Sequence, residues 1–362
     1  MGKKKTAVQF SVSKNQKLLM RAALFFAQVF VLLTGCFFRD SSGIVKILRD
    51  FFKFPYFSGG AGFVEDFFTS DYGDVSKRVV IVLMYVLLFC VTAVVVERFL
   101  HMARQERQFA SYIIAALYII SPAAARFLSA PATMSKADVI VLAFALLTLL
   151  SAESKRFFLL SPFFILACSL AQKEFIFTYL PVAFIPLIYF RGRSSDGKVI
   201  IVINALIAAA VFWAGRTSGY SFAHLTLLRV VQVLTGAVFA LPVFAVTFSV
   251  WRRAAKKGGA DAYIYRLCMA SVFLPLPILF VRSCYEAGRI VSAAVICQLL
   301  LLFMFVSSRD KAVYPSFRAV CEKIEKHAAA ALATVGAHAM MTRFNTSFTG
   351  FIGTAFNKYF PF

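Results

Sequence analysis

Ten apolar runs, most of them 14–21 residues long, divide this chain, and nearly every gap between them carries Lys or Arg. A stretch of roughly 20 apolar residues crosses a bilayer as a helix. In hydrocarbon only a helix or a closed barrel satisfies its own backbone polar groups. With 60% hydrophobic residues, 15% charged residues and a mean hydropathy of +0.77, the composition lies far outside the soluble range. The sequence therefore predicts an all-α fold: a polytopic transmembrane helical bundle of about ten spans. These fall at 22–38, 79–96, 109–125, 138–152, 157–172, 175–190, 199–215, 230–250, 267–281 and 290–306. The fourth, fifth, sixth and ninth are short, and each needs flanking residues, a thin bilayer or a tilted neighbour to cross.

Charge then sets the orientation. With the N-terminus cytoplasmic, 26 of the 39 basic residues fall in inner segments and 13 outside, six of the latter in one long loop. That is the direction the positive-inside bias requires. The expectation is N-in and C-in: a basic cytoplasmic N-terminus at 1–21, a transmembrane domain at 22–306 with an outer loop at 39–78, and a cytoplasmic membrane-surface tail at 307–362. The formal net charge of +22 has the same origin. Basic residues sit at membrane edges, where anionic headgroups attract them. The implied partner is the lipid bilayer, not nucleic acid, and the implied location is a cell membrane, the bacterial plasma membrane.

Leu33-Thr34-Gly35-Cys36 follows a basic leader and an apolar core, as a lipoprotein signal would. A 21-residue leader, bulky Phe37 and Phe38 and nine further spans speak against cleavage there. The seven cysteines form no CxxC or Cys/His cluster, and most lie inside apolar runs, where cysteine behaves as a small hydrophobe. The four histidines (His101, His224, His327, His338) have no ligand spacing. No P-loop, GxGxxG, GxSxG or HExxH pattern occurs.

Candidate chemistry concentrates on the expected outer face. In the 39–78 loop, Ile44, Ile47, Leu48, Phe51 and Phe52 recur at helical spacing with Lys46, Arg49, Asp50 and Lys53 opposite. That pattern predicts an amphipathic helix lying on the membrane. Glu65, Asp66, Asp71 and Asp74 follow, four of the chain's 17 acidic residues within ten positions. They fit a general base or a divalent-metal carboxylate site; a solvated loop kept soluble by its acids is the simpler account. Further outer charges are Lys136 and Asp138, Lys173 and Glu174, Arg216, and the trio Arg282, Glu286 and Arg289. If helical, the i, i+4, i+7 trio shares one face, two arginines bracketing a carboxylate. Guanidinium groups suit bidentate phosphate recognition; snorkelling edge residues are the simpler account of each taken singly. In the tail, residues 316–341 read as one cytoplasmic surface helix.

Three of these stretches carry a family resemblance. They are the outer loop with its acidic cluster; Ile120-Ser121-Pro122 through Ser135-Lys136-Ala137-Asp138, leading into Val139-Ile140-Val141-Leu142; and Gln172-Lys173-Glu174-Phe175 followed by Tyr179-Leu180-Pro181. Across about residues 40–190 the chain resembles bacterial integral-membrane glycosyltransferases of the GT-C type and the Wzy- or EpsG-like polysaccharide polymerases. The third stretch is similar to a His-Glu-Phe…Tyr-x-Pro pattern with Lys173 in place of the histidine. The resemblance implies an enzyme that takes a polyprenyl-phosphate-linked sugar from the lipid phase. A carboxylate such as Asp66 or Asp71 would activate the acceptor hydroxyl, and outer arginines would hold the phosphate. A transporter or flippase for a lipid or anionic solute, and a non-catalytic membrane assembly protein, are the alternatives.

Overall fold

The computed structural model describes residues 14–37, 74–103, 108–121, 123–124, 136–216, 227–280 and 287–340. Among the described residues there are thirteen α-helices, five short 3-10 segments and no strand. In chain order the helices are α1 (Lys14–Phe37), α2 (Asp74–Ala103), α3 (Gln108–Ile120), α4 (Lys136–Glu153), α5 (Ser161–Ala171) and α6 (Leu180–Arg191). They continue as α7 (Ser195–Arg216), α8 (Leu227–Phe239), α9 (Leu241–Lys257), α10 (Ala262–Ala270), α11 (Ala287–Ser307), α12 (Val313–Lys326) and α13 (Ala328–Met340). The expected amphipathic helix at 44–53 and Glu65, Asp66 and Asp71 lie outside the described residues.

Each apolar run coincides with helix, but three expected helices are interrupted. The run at 230–250 divides at Ala240 between α8 and α9, with Pro242 at the start of the second piece. The run at 267–281 leaves α-helix after Ala270 and continues as 3-10 turns at Ser271–Phe273 and Leu276–Phe280. Pro275 and Pro277 there supply no amide hydrogen and cannot continue an α-helical ladder. The tail helix expected at 316–341 is two helices, broken at His327, whose φ of −118° and ψ of 43° are not helical. Periodicity alone did not mark these breaks.

Two segments are long and apolar enough to cross a membrane, Ser195–Trp213 of α7 and Arg289–Ser307 of α11. Their surroundings differ: 94% of α11's apolar window is buried, against 17% for α7. α11 is the hub, packed against α2, α6, α8 and α9. Phe303 stacks on Phe99 of α2 at 4.3 Å, and Phe305 meets Trp251 of α9 edge-on at 5.6 Å. Midway along, Gln298 closes the broken 262–280 segment. Its Nε2 donates to the Cys268 carbonyl (2.6 Å) and to Ser271 Oγ (2.9 Å), while its Oε1 accepts from Trp251 Nε1 (2.9 Å). Backbone freed from a helix inside an apolar bundle must find such a partner. By contrast α7 exposes Val199, Val202, Ile203, Leu206 and Trp213. A buried apolar helix suits any protein core; a run of exposed large apolar side chains needs an apolar surrounding.

One end of the bundle is stapled by polar contacts. Ion pairs join Arg21 to Glu97, Arg98 to Glu153, and Arg193 to Asp261. Its hydrogen bond to Asp261 holds the Arg193 guanidinium above its ordinary pKa. Arg191 covers the C-terminus of α4, donating from Nε to the Ala152 carbonyl (2.9 Å) and from Nη2 to that of Glu153 (2.6 Å). A cation suits the negative end of a helix dipole. Asp310 then fixes α12: its Oδ1 accepts from the Ala312 and Val313 amides at 2.9 and 2.7 Å. Tyr265 and Tyr189 donate their hydroxyls to the same carboxylate. Burial first, and the Asp310 bond next, push the Tyr265 hydroxyl above its ordinary pKa. The ring of Tyr265 in turn fixes the residue type at Gly258, where a Cβ would meet Tyr265 Cε2 at 2.3 Å.

Candidate functional site

Near the opposite end of α11, in its first turn, stands Arg289, which lies on the side that charge counting places outside. An arginine at the mouth of an apolar bundle must be neutralised. Arg289, only 8% exposed, donates from Nη2 to Asp138 Oδ1 at 2.8 Å, and Asp138 is fully buried in the first turn of α4. Residues 151 positions apart thus form the only ion pair among the described residues in which both side chains are below 10% exposure. Burial strengthens their attraction and raises the penalty for losing either partner.

The second component is a stretch of irregular backbone. α5 has 11 residues and α6 has 12, so each rises only about 16–18 Å, short of the roughly 30 Å hydrocarbon core. Between them, Gln172 to Tyr179 run as an extended residue, a 3-10 turn and a further turn. Two contacts set their depth. Cys168 Sγ donates to the Val141 carbonyl at 3.4 Å, which puts the end of α5 level with the start of α4. Cys297 Sγ donates to the Thr178 carbonyl at 3.2 Å, and Cys297 lies eight residues along α11 from Arg289, roughly 12 Å. The segment therefore descends from the level of Asp138 toward the middle of the bundle. Non-helical backbone at such depth is tolerated where it is buried in protein or lines a cavity. Here it brings in Gln172, Glu174, Thr178 and Tyr179, each no more than 3% exposed.

Tyr179 joins the two components. Asp138 and Arg289 are among the charged groups whose field reaches its hydroxyl, which is fully buried and has no hydrogen-bond partner among the described residues. A buried hydroxyl without a partner is uncommon; among the described residues the Tyr112 and Tyr118 hydroxyls share the property.

A short relay frames the site on its far side. Ser292, one turn beyond Arg289, donates from Oγ to the Ala123 carbonyl at 2.9 Å. The Ala123 amide donates to Ser121 Oγ at 3.2 Å, and Ser121 Oγ shares a 2.8 Å hydrogen bond with His338 Nδ1 of α13. The His338 ring stacks on Phe239 of α8 at 4.2 Å.

Of the site residues expected from sequence, the structure thus brings together Asp138 and Arg289 and buries Glu174 in the adjoining segment. Arg289 meets Asp138 of α4, and α11 begins only at Ala287. Arg282 and Glu286 lie outside the described residues, as do Glu65, Asp66 and Asp71. Asp74, Lys136, Lys173 and Arg216 are placed by backbone only, at or beside helix and turn ends. Tyr179, Ser121, Ser292 and His338 were not among the expected site residues. Tyr179 stood in the Tyr-x-Pro stretch, but nothing local marks a tyrosine that ends beside an ion pair. Among the described residues no group of three His, Cys, Asp or Glu side chains could hold a metal. No family model matches the chain, and no curated protein and no solved structure matches it either.

Proposed function

We propose that this chain is an integral membrane glycosyltransferase or polysaccharide polymerase. It would act on polyprenyl-phosphate-linked sugars at the outer face of a multi-pass bundle of about ten spans in the cell membrane. The observation that carries this reading is the buried Asp138–Arg289 pair beside the unpartnered Tyr179 hydroxyl. In the proposed reaction Arg289, oriented by Asp138, and the Tyr179 O–H would both face the phosphate that leaves with the lipid. Charge-assisted bonds to a developing phosphate are stronger than neutral ones and gain further where water is excluded. The acceptor hydroxyl would lose its proton to a carboxylate: Asp66 or Asp71 of the outer loop, its neighbours Glu65 and Asp74, or the buried Glu174. The lipid-like exposure of α7 supports the membrane setting.

Tyr179→Phe is the clean test, because it removes an unpartnered hydroxyl and leaves the packing. Unfolding stability should hold or rise, while glycan product per unit of membrane-inserted protein drops about tenfold, the worth of one hydrogen bond of about 1.4 kcal/mol. Asp66→Asn or Asp71→Asn should lower output roughly 10²–10⁴-fold if the base lies there. Normal output from all three variants would remove the enzymatic reading. Sidedness is tested by an impermeant thiol reagent on intact cells, which should label Ser58→Cys and spare Lys257→Cys.

One observation favours a transporter as the second reading. Interrupted helices at depth, as at 172–179 and 271–280, are a common way to build solute sites in transporters. Substrate counterflow in proteoliposomes without glycan formation would select it.

A further inference from the structure

We propose that the C-terminal helix α13 is membrane-embedded, traversing the bundle from the α12 end to the site end, and that His338 latches it there as a positioning residue. The crossing stands apart from the function proposed above; the positioning role rests on it.

The geometry is fixed at both ends. α12 belongs to the stapled end: Asp310 caps its start, Phe317 meets Phe99 edge-on at 5.7 Å, and Tyr314 donates to the carbonyl of Met102, near the end of α2. α3 starts five residues after the end of α2, at Gln108, and leads away from that end. Its 13 residues rise roughly 20 Å to Ser121. α13 packs along α3 and has the same 13-residue length, beginning one residue after α12 and ending beside Ser121. A helix with one end at α12 and the other at Ser121 runs the length of α3. It cannot lie flat on the face that holds α12.

Its sequence suits that path. Ala328–Met340 holds no Asp, Glu, Lys or Arg, and seven of its 13 residues are Ala, small enough to let two helix backbones approach closely. Its one ionisable side chain, His338, is 3% exposed, hydrogen-bonded to Ser121 Oγ and stacked on Phe239. Ser121 holds the Ala123 amide, Ala123 accepts from Ser292, and Ser292 sits one turn from Arg289. The latch thereby fixes the turn against which the Arg289 end of α11 is set.

Two measurements decide the crossing. In Ser121→Cys/His338→Cys, a mild oxidant should form an intramolecular disulfide in membranes. A surface-lying α13 would hold the two residues roughly 20 Å apart, and no disulfide would form. Should the double variant not accumulate, single cysteines at Lys326 and Arg343, on either side of α13, replace it. Impermeant tagging, counted as one added mass tag over the parent chain, should reach them from opposite faces; labelling from one face overturns the crossing.

The latch is read by binding of undecaprenyl phosphate to the full chain in nanodiscs. His338→Leu should weaken it at least tenfold, and His338→Asn, which keeps a polar atom near Nδ1, should stay within about threefold of the parent. Equal binding by His338→Leu and the parent, or equal loss in both variants, overturns the positioning role. A parent chain that binds no undecaprenyl phosphate overturns the functional reading and the positioning role together, and leaves the crossing to the labelling result.

Discussion

The bundle buries an aspartate at each end, and the two are treated differently. Asp310, at the stapled end, accepts from two backbone amides and two tyrosine hydroxyls on α6 and α10. Those donors come from the neighbouring turns themselves, so the carboxylate ties three helix ends together. Asp138 instead faces Arg289, and beside them the Tyr179 hydroxyl has no partner among the described residues. Saturated polar clusters specify a scaffold. The Asp138–Arg289 pair joins residues 151 positions apart, and buried charges of that kind are candidates for binding or catalysis.

Breaking the pair should have the largest effect. Arg289→Leu leaves Asp138 buried without its cation and should destabilise the protein by about 3–5 kcal/mol, measured by unfolding in detergent or nanodiscs. Asp138→Leu/Arg289→Leu should recover most of that loss while failing to restore glycan output. A double variant with full activity would move the pair to the scaffold side of the comparison.

The Asp310 clamp comes next. Asp310→Ala strands the buried Tyr265 hydroxyl and removes the cap of α12, a loss of roughly 2–4 kcal/mol. Glycan output per folded molecule should stay unchanged, since the clamp lies at the far end from Arg289. The smallest effect belongs to the half-exposed pair at the same end: Arg98→Ala should cost about 1 kcal/mol or less, checked in the same unfolding assay at low and high salt. Activity losses per folded molecule from Asp310→Ala would erase the distinction between the two ends.

The helix breaks show where reading by hydropathy stops. Proline marked the one at 271–280, yet its satisfaction by Gln298, 27 positions from Ser271, is a tertiary fact. Likewise Lys173 and Glu174 read from sequence as charges on the outer face between two spans. Only the Cys297 contact to Thr178 shows that the segment following them sits roughly 12 Å along α11 from Arg289.

Hydropathy and charge on their own determined that this chain is helical, where its helices fall, and which ends carry the basic residues. Those properties depend on composition and spacing, which are local and additive along a chain. Asp138 and Arg289 could be named from sequence as ionisable groups at helix ends. Their pairing, the approach of Tyr179, the central burial of α11 against the exposure of α7, and the meeting of His338 with Ser121 were decided by tertiary structure alone. Contacts between residues 110–220 positions apart depend on which helix faces are brought together, and near-uniform apolar helices carry little in their own sequence to say so.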